Sequence, residues 1–339
     1  MRVPTSNDVV VVRCVLECDV LCLRLLCVFV LTGLGACTPP DPIPKDDADP
    51  RLDAAMDAAP LTAWTDAARQ RLSLERGAAL RSWVWPKEHA LEQQLHGPTS
   101  AAASRDEPIR SVLLIGASTM QWAVGRAIER QLTHAPVRVV NAARSATGLA
   151  RPDHHDWMER SIQLVDEHKP DVVIVQFGGN DCQSLFDAEG EVVVNYDARH
   201  LWRSELFRRM GDLVVTLREH GSRVVLLDLQ PMESRNHHRC VSEMNDLTER
   251  VGVMWQVPVV SVQHLVGGPD GEYVESTRWM GRDVHLRAAD GLHLTRAGGE
   301  IVAAAVFDTL QRLPGWPDAA CETLVARTKH TRPIIWMSP

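Results

Sequence analysis

Five short runs of aliphatic, largely β-branched residues lie at 111–115, 137–141, 171–176, 223–229 and 258–262. Apolar runs of this length cannot face water on either side, so they read as strands of a sheet covered on both faces. Amphipathic stretches follow them at 119–133, 158–168, 201–219, 242–255 and 294–311. Pro170 stands between the second helix and its strand, and Gly221 lies just past the third helix, as expected of helix stops. Strand–helix alternation with right-handed crossovers leads to a doubly wound three-layer α/β/α sandwich around a mainly parallel five-stranded sheet. In such a sheet, sites gather beyond the carboxyl ends of the strands.

The 339 residues, 45% hydrophobic and 24% charged, suffice for one sizeable core. A formal net charge of −8 and the lack of any Lys/Arg block argue against a nucleic-acid partner. The start of the chain reads differently from the rest. Leu25 to Ala36 is an apolar stretch of signal-peptide length, preceded by Arg13 and Arg24, and it closes on Leu34-Gly35-Ala36-Cys37. That closing tetrapeptide resembles the bacterial lipobox, in which the Cys is acylated and becomes the first residue. The expected organisation is a lipoprotein signal peptide at 1–36, a Pro/Asp-rich tether at 37–52 and a helical extension with a linker at 53–109. The main domain follows at 110–312, and a tail at 313–339. Thr38 after the acylated Cys resembles outer-membrane sorting, so the expected place is the envelope of a Gram-negative-type bacterium, held to the membrane by lipid.

This reading changes the cysteine count. Of eight Cys, four fall in the signal segment and Cys37 takes lipid, leaving Cys182, Cys240 and Cys321 for an oxidising compartment. Cys182 follows the third strand and Cys240 is expected in the loop after the fourth, so neighbouring strands would bring both to one mouth. Cys240 with Cys321, or no bridge, is the alternative.

Three short motifs fall where a doubly wound sheet places its sites. Gly116-Ala117-Ser118 follows the first strand, Gly178-Gly179-Asn180-Asp181 follows the third, and Asp290 and His293 stand three apart before the last helix. Each alone is weak, because a Ser before a helix is most often its cap and a Gly-Asn pair is usually a turn. In this order and at these positions they resemble the SGNH (GDSL-like) hydrolase superfamily over roughly residues 110–311, with phrasing similar to an envelope-associated lipoprotein branch of it.

The resemblance implies a flavodoxin-like fold and a serine esterase without a cofactor. It makes Ser118 the nucleophile, His293 the general base and Asp290 the group that orients the imidazole. It also implies an oxyanion hole from the Asn180 side-chain amide, the Ser118 N–H and one N–H of the loop after the second strand. Gly148 is the natural loop donor, with Ala146 as the alternative. Ala117 stands where the superfamily usually has an Asp that braces the nucleophile turn.

Rival readings are weaker on the residues. The first turn is not G-x-G-x-x-G and the second strand ends without an acid, which disfavours a dinucleotide site. The pairs His154-His155 and His237-His238, with His285, lack metal-ligand spacing, so no metal is expected. The expected substrate is an acylated glycan or other ester, O-acetyl most of all. An O-acetyltransferase, a lipase or thioesterase, and a non-catalytic glycan-binding module are the alternatives. Trp157, Trp202 and Trp279 could stack on sugars or simply pack beneath the mouth, and Arg144, Arg151 and Arg287 could meet an anionic polymer or pair with nearby acids.

Overall fold

The computed structural model describes residues 107–133 and 135–317, together with Ala63, Asp66, Ala67 and Gln70, which are helical. The expected signal peptide, Cys37, the tether, nearly all of 53–109, Cys321 and the tail beyond 317 lie outside the described residues. Among those described, no helix is long and apolar enough to cross a membrane.

The apolar runs form one parallel sheet. Its strands are β1 (Ser111–Gly116), β2 (Arg138–Asn141), β3 (Val172–Gln176), β6 (Arg223–Leu227) and β7 (Val259–Val260), in the order β2-β1-β3-β6-β7. Every residue of β1 and β3 is buried, as a strand covered on both faces requires. Alternate side chains supply two cores. Val112, Leu114, Val172 and Ile174 pack with α2 (Ala123–Leu132), α6 (Val262–Val266) and α7 (Arg296–Gln311). Leu113, Ile115, Val173 and Val175 pack with α3 (Trp157–His168), α4 (Arg199–Glu219) and α5 (Arg235–Met254). The result is the expected three-layer α/β/α sandwich. The strands are parallel, but their order switches sides after β2, from β2 beside β1 on one flank to β3, β6 and β7 on the other, so the crevice at the carboxyl ends of β1 and β3 is the topological switch point.

Local signals explain several boundaries. Asp156 caps α3, its Oδ1 accepting from the N–H groups of Met158 and Glu159 at 2.8 and 3.1 Å. Lys169 ends that helix in the left-handed conformation, ahead of Pro170. The expected helix 119–133 is broken at Trp122 into α1 (Ser118–Gln121) and α2.

Other elements depart from expectation. Two small hairpins were not anticipated: β4 (Leu185–Phe186) with β5 (Val192–Val194), and β8 (Ser276–Trp279) with β9 (Arg282–His285). They are too short for a periodicity of two to stand out. Helix α5 begins at Arg235 rather than 242, because its first turn is polar and Cys240 is the first of its residues to be buried. Cys240 therefore sits on a helix and not in the loop after the fourth strand. It is joined to Cys182 by a disulfide, with Cα atoms 5.9 Å apart. This ties α5 to the segment after β3 and leaves no Cys240 thiol for Cys321.

Candidate active site

The site starts from the end of β1. Gly116 has φ +156°, and a Cβ there would lie 2.5 Å from the Gln176 carbonyl oxygen and 2.9 Å from the Met120 Cβ. Only glycine lets β1 and β3 stay in register while the chain turns directly into α1. The N-cap of α1 falls on Ala117, which has no polar side chain, and Ser118 is the first helical residue. Ser118 thus sits on the turn without capping it. Its Oγ lies 2.7 Å from His293 Nε2.

His293 is buried and arrives from a turn built by Asp290. The Asp290 Oδ1 accepts the N–H groups of Leu292 and His293, each at 2.9 Å, while Oδ2 lies 2.6 Å from His293 Nδ1. A proton on Nδ1, donated to the carboxylate, leaves the Nε2 lone pair facing the Ser118 hydroxyl. Partial burial would raise the Asp290 pKa. The hydrogen bonds from His293, and from the N–H groups of His293 and Leu292, outweigh it and hold the carboxyl below its ordinary range. The three groups are drawn from two ends of the chain, 175 residues apart for the Ser–His pair.

Asn180 lies on a single 3₁₀ turn, Gly179–Asp181. One N–H of its amide is donated to the Thr147 carbonyl at 2.8 Å, which fixes the side chain and leaves the second N–H. The loop after β2 is held on the other side as well. The Ser145 N–H and hydroxyl both donate to Gln121 Oε1, and Trp122 Nε1 donates to Ser145 Oγ. Thr147 Oγ1 accepts from Trp157 Nε1 and donates to the Arg144 carbonyl. A cavity of about 180 Å³ is lined by Ala146, Gly148, Arg151, His154, Asn180 and Gln183. Both candidate loop donors therefore share one cavity with Asn180. Ala146 is exposed with φ +59°, and Gly148 is buried.

Asp181 is a residue the sequence reading passed over, although it closes the Gly-Gly-Asn-Asp motif. It is fully buried, and its Oδ1 accepts the Ala150 N–H at 2.7 Å. A Cβ on Gly148 would come within 2.4 Å of that oxygen, so the carboxylate and the glycine fit together. Burial pushes the Asp181 pKa up to about 6, against the lowering effect of the Ala150 and Leu149 N–H groups and Arg209.

The aromatic candidates have structural places. Trp157, Trp202 and Trp279 are all buried, so none presents a face for stacking on a sugar. Trp157 and Trp202 brace the site from beneath, through Thr147 and through the Gln183 carbonyl. Arg151 pairs with Asp153 at 2.6 Å, and buried Arg287 donates to the carbonyls of Val274 and Val266. Arg144 is exposed. His155 stands edge-on to Trp157, His237 reaches the Gly179 carbonyl, and the Met232 N–H donates to His238. No group of three or more His, Cys, Asp or Glu among the described residues is placed to hold a metal ion.

Among solved structures, the chain is similar to a catalytic mutant of Axe2, an acetylxylan esterase from Geobacillus stearothermophilus. That match has 17% identity and a TM-score of 0.44, covering 63% of this chain and 97% of that one. It is also similar to TesA, at 22% identity and a TM-score of 0.42 over 60% of this chain and 99% of that one. An aryl esterase of M. smegmatis matches at 16% identity and a TM-score of 0.43 over 60% and 99%. No curated protein matches the chain. The sequence model of one family, described as "Protein of unknown function (DUF459)", matches residues 111–309, from the first strand of the sheet into its last helix. Since that stretch is more than half of the 339 residues, the chain belongs to the DUF459 family.

Proposed function

We propose that this protein is an SGNH-type serine esterase that removes O-acyl groups, O-acetyl above all, from cell-envelope or extracellular glycans. The observation that carries the reading is the continuous hydrogen-bonded line from Asp290 through His293 to Ser118, at 2.6 and 2.7 Å. In the proposed reaction the Ser118 oxygen attacks the ester carbonyl carbon while His293 Nε2 takes the hydroxyl proton. Asp290 stays ionised and stabilises the imidazolium. The oxyanion is met by the free N–H of the Asn180 amide, the Ser118 N–H and an N–H of the 146–148 loop, from Gly148 or from Ala146. Collapse breaks the bond to the alcohol, which leaves with the proton from His293. Water then attacks the acyl-enzyme and gives a proton to the same nitrogen, and collapse releases the acid as the departing Ser118 oxygen takes that proton back.

The acyl specificity is a separate part of the proposal. The assay that tests this compares acetate release from O-acetylated glycans with fatty-acid release from long-chain esters. A preference for the long-chain esters would refute the acetyl reading. The same proposal keeps the domain at the envelope through acylated Cys37. Cys37→Ser should release soluble protein, and a mature N-terminus at any other residue would remove the anchor from the account.

Asn180→Ala should lower kcat by about 10²–10³, the usual effect of deleting one oxyanion donor among several. The side chain also holds the Thr147 carbonyl, so its loss should leave KM little changed only if that loop stays in place. Steady-state kinetics on a chromogenic acetate ester would measure both.

A further inference from the structure

The hydrogen bond between Ser118 and His293 joins two loops, one following β1 and the other preceding α7. Ala117 contributes no side-chain bond to the nucleophile turn, so something else must hold these loops in register. We propose that Gln230 is the positioning residue that sets the spacing between Ser118 and His293. This inference rests on the hydrolase reading above.

Gln230 follows β6 by three residues and is fully buried. Its Nε2 donates to Thr119 Oγ1 at 3.1 Å and to the Leu292 carbonyl at 3.0 Å. Thr119 is the neighbour of Ser118, and Leu292 the neighbour of His293. One amide nitrogen thus spends one hydrogen on each loop. Among the described residues, the only direct hydrogen bond between these two loops is that of the Ser118–His293 pair itself. The orientation of the amide follows from the acceptor, because the Leu292 carbonyl can take only a donor. One buried amide thus holds both acceptors, which an apolar side chain of the same length could not do.

The strut itself is rigid. Asn245 exchanges two hydrogen bonds with the backbone of Leu229, at 2.8 and 2.9 Å. Gln176 on β3 donates to the Asp228 carbonyl at 2.9 Å. The Asp228 carboxylate is held in turn by Ser261 Oγ at 2.7 Å and the Gln263 N–H at 3.0 Å. Gln230 therefore projects from a segment pinned to the sheet and to two helices. Proton transfer depends steeply on the approach of the two reacting groups, and a misplacement on the order of 1 Å costs about 10²-fold.

Gln230→Met keeps the length and removes both donors, and Thr119→Val removes one acceptor. The readouts are kcat and KM on a chromogenic acetate ester, the fluorophosphonate inactivation rate, and the folded fraction by circular dichroism. Gln230→Met should lower kcat and the inactivation rate together by about 10- to 100-fold at unchanged KM, with the protein fully folded. Thr119→Val should lower kcat less, and the double variant should be no slower than Gln230→Met alone, because both changes cut one connection. A kcat for Gln230→Met within twofold of the parent, or single effects that multiply in the double variant, would overturn the proposal. If Gln230→Met does not fold, an unchanged kcat in Thr119→Val overturns it equally. A parent protein that neither turns over nor labels would sink the hydrolase reading instead, so the two failures are distinguishable.

Discussion

Ser118→Ala protein should be fully folded and inactive. The expected loss in kcat is on the order of 10⁴-fold or more, because removing a triad member leaves only what binding and the oxyanion donors supply. The stability change should be small. A Ser that caps a helix is worth about 0.5–2 kcal/mol, but here the cap position belongs to Ala117, and the hydroxyl bonds to His293 instead. A chemical denaturation midpoint close to that of the parent, beside abolished turnover, is therefore the expected pair of results. Intact turnover would return Ser118 to a purely structural place.

His293→Ala should be as damaging as Ser118→Ala, and combining the two should cost little more, since nucleophile and base act as one unit. The protonation states within the line follow the same logic. Only a neutral imidazole can take the Ser118 proton, so the base must present a bare Nε2 while Asp290 stays ionised. Burial raises its pKa, but the bonds from His293 and the two backbone N–H groups more than offset this, and the carboxylate stays ionised into the acidic range.

The parts of this molecule that were legible in the sequence share a physical cause. Strands β1 and β3 are buried on both faces, so nothing but aliphatic residues could occupy them, and the composition alone reveals them. Ser118, Asn180, Asp290 and His293 were legible through the resemblance that their motifs carry when they stand, in this order, at the strand ends of a doubly wound sheet. The start of α5 was hidden because its first turn lies in solvent and has no periodicity to read, which is also why Cys240 was expected in a loop. The β8–β9 hairpin depends on φ angles of +49° and +79° at Met280 and Gly281, of which only the glycine announces itself.

Gln230, Gln121 and Asp181 are invisible for a different reason. Their positions come from tertiary contacts with Thr119, Ser145 and Ala150, at separations of 111, 24 and 31 residues. The three Trp residues left stacking on a sugar and packing beneath the mouth both open, and burial decides for packing.

The central claim is that Ser118 is the nucleophile of the Asp290–His293–Ser118 line. Reaction with a fluorophosphonate probe, followed by proteolysis and mass spectrometry of the adduct, addresses it directly. The account predicts one phosphonylated peptide, carrying the modification on Ser118, and no labelling of Ser118→Ala protein. An adduct on any other residue, or labelling that persists in Ser118→Ala protein, would contradict it.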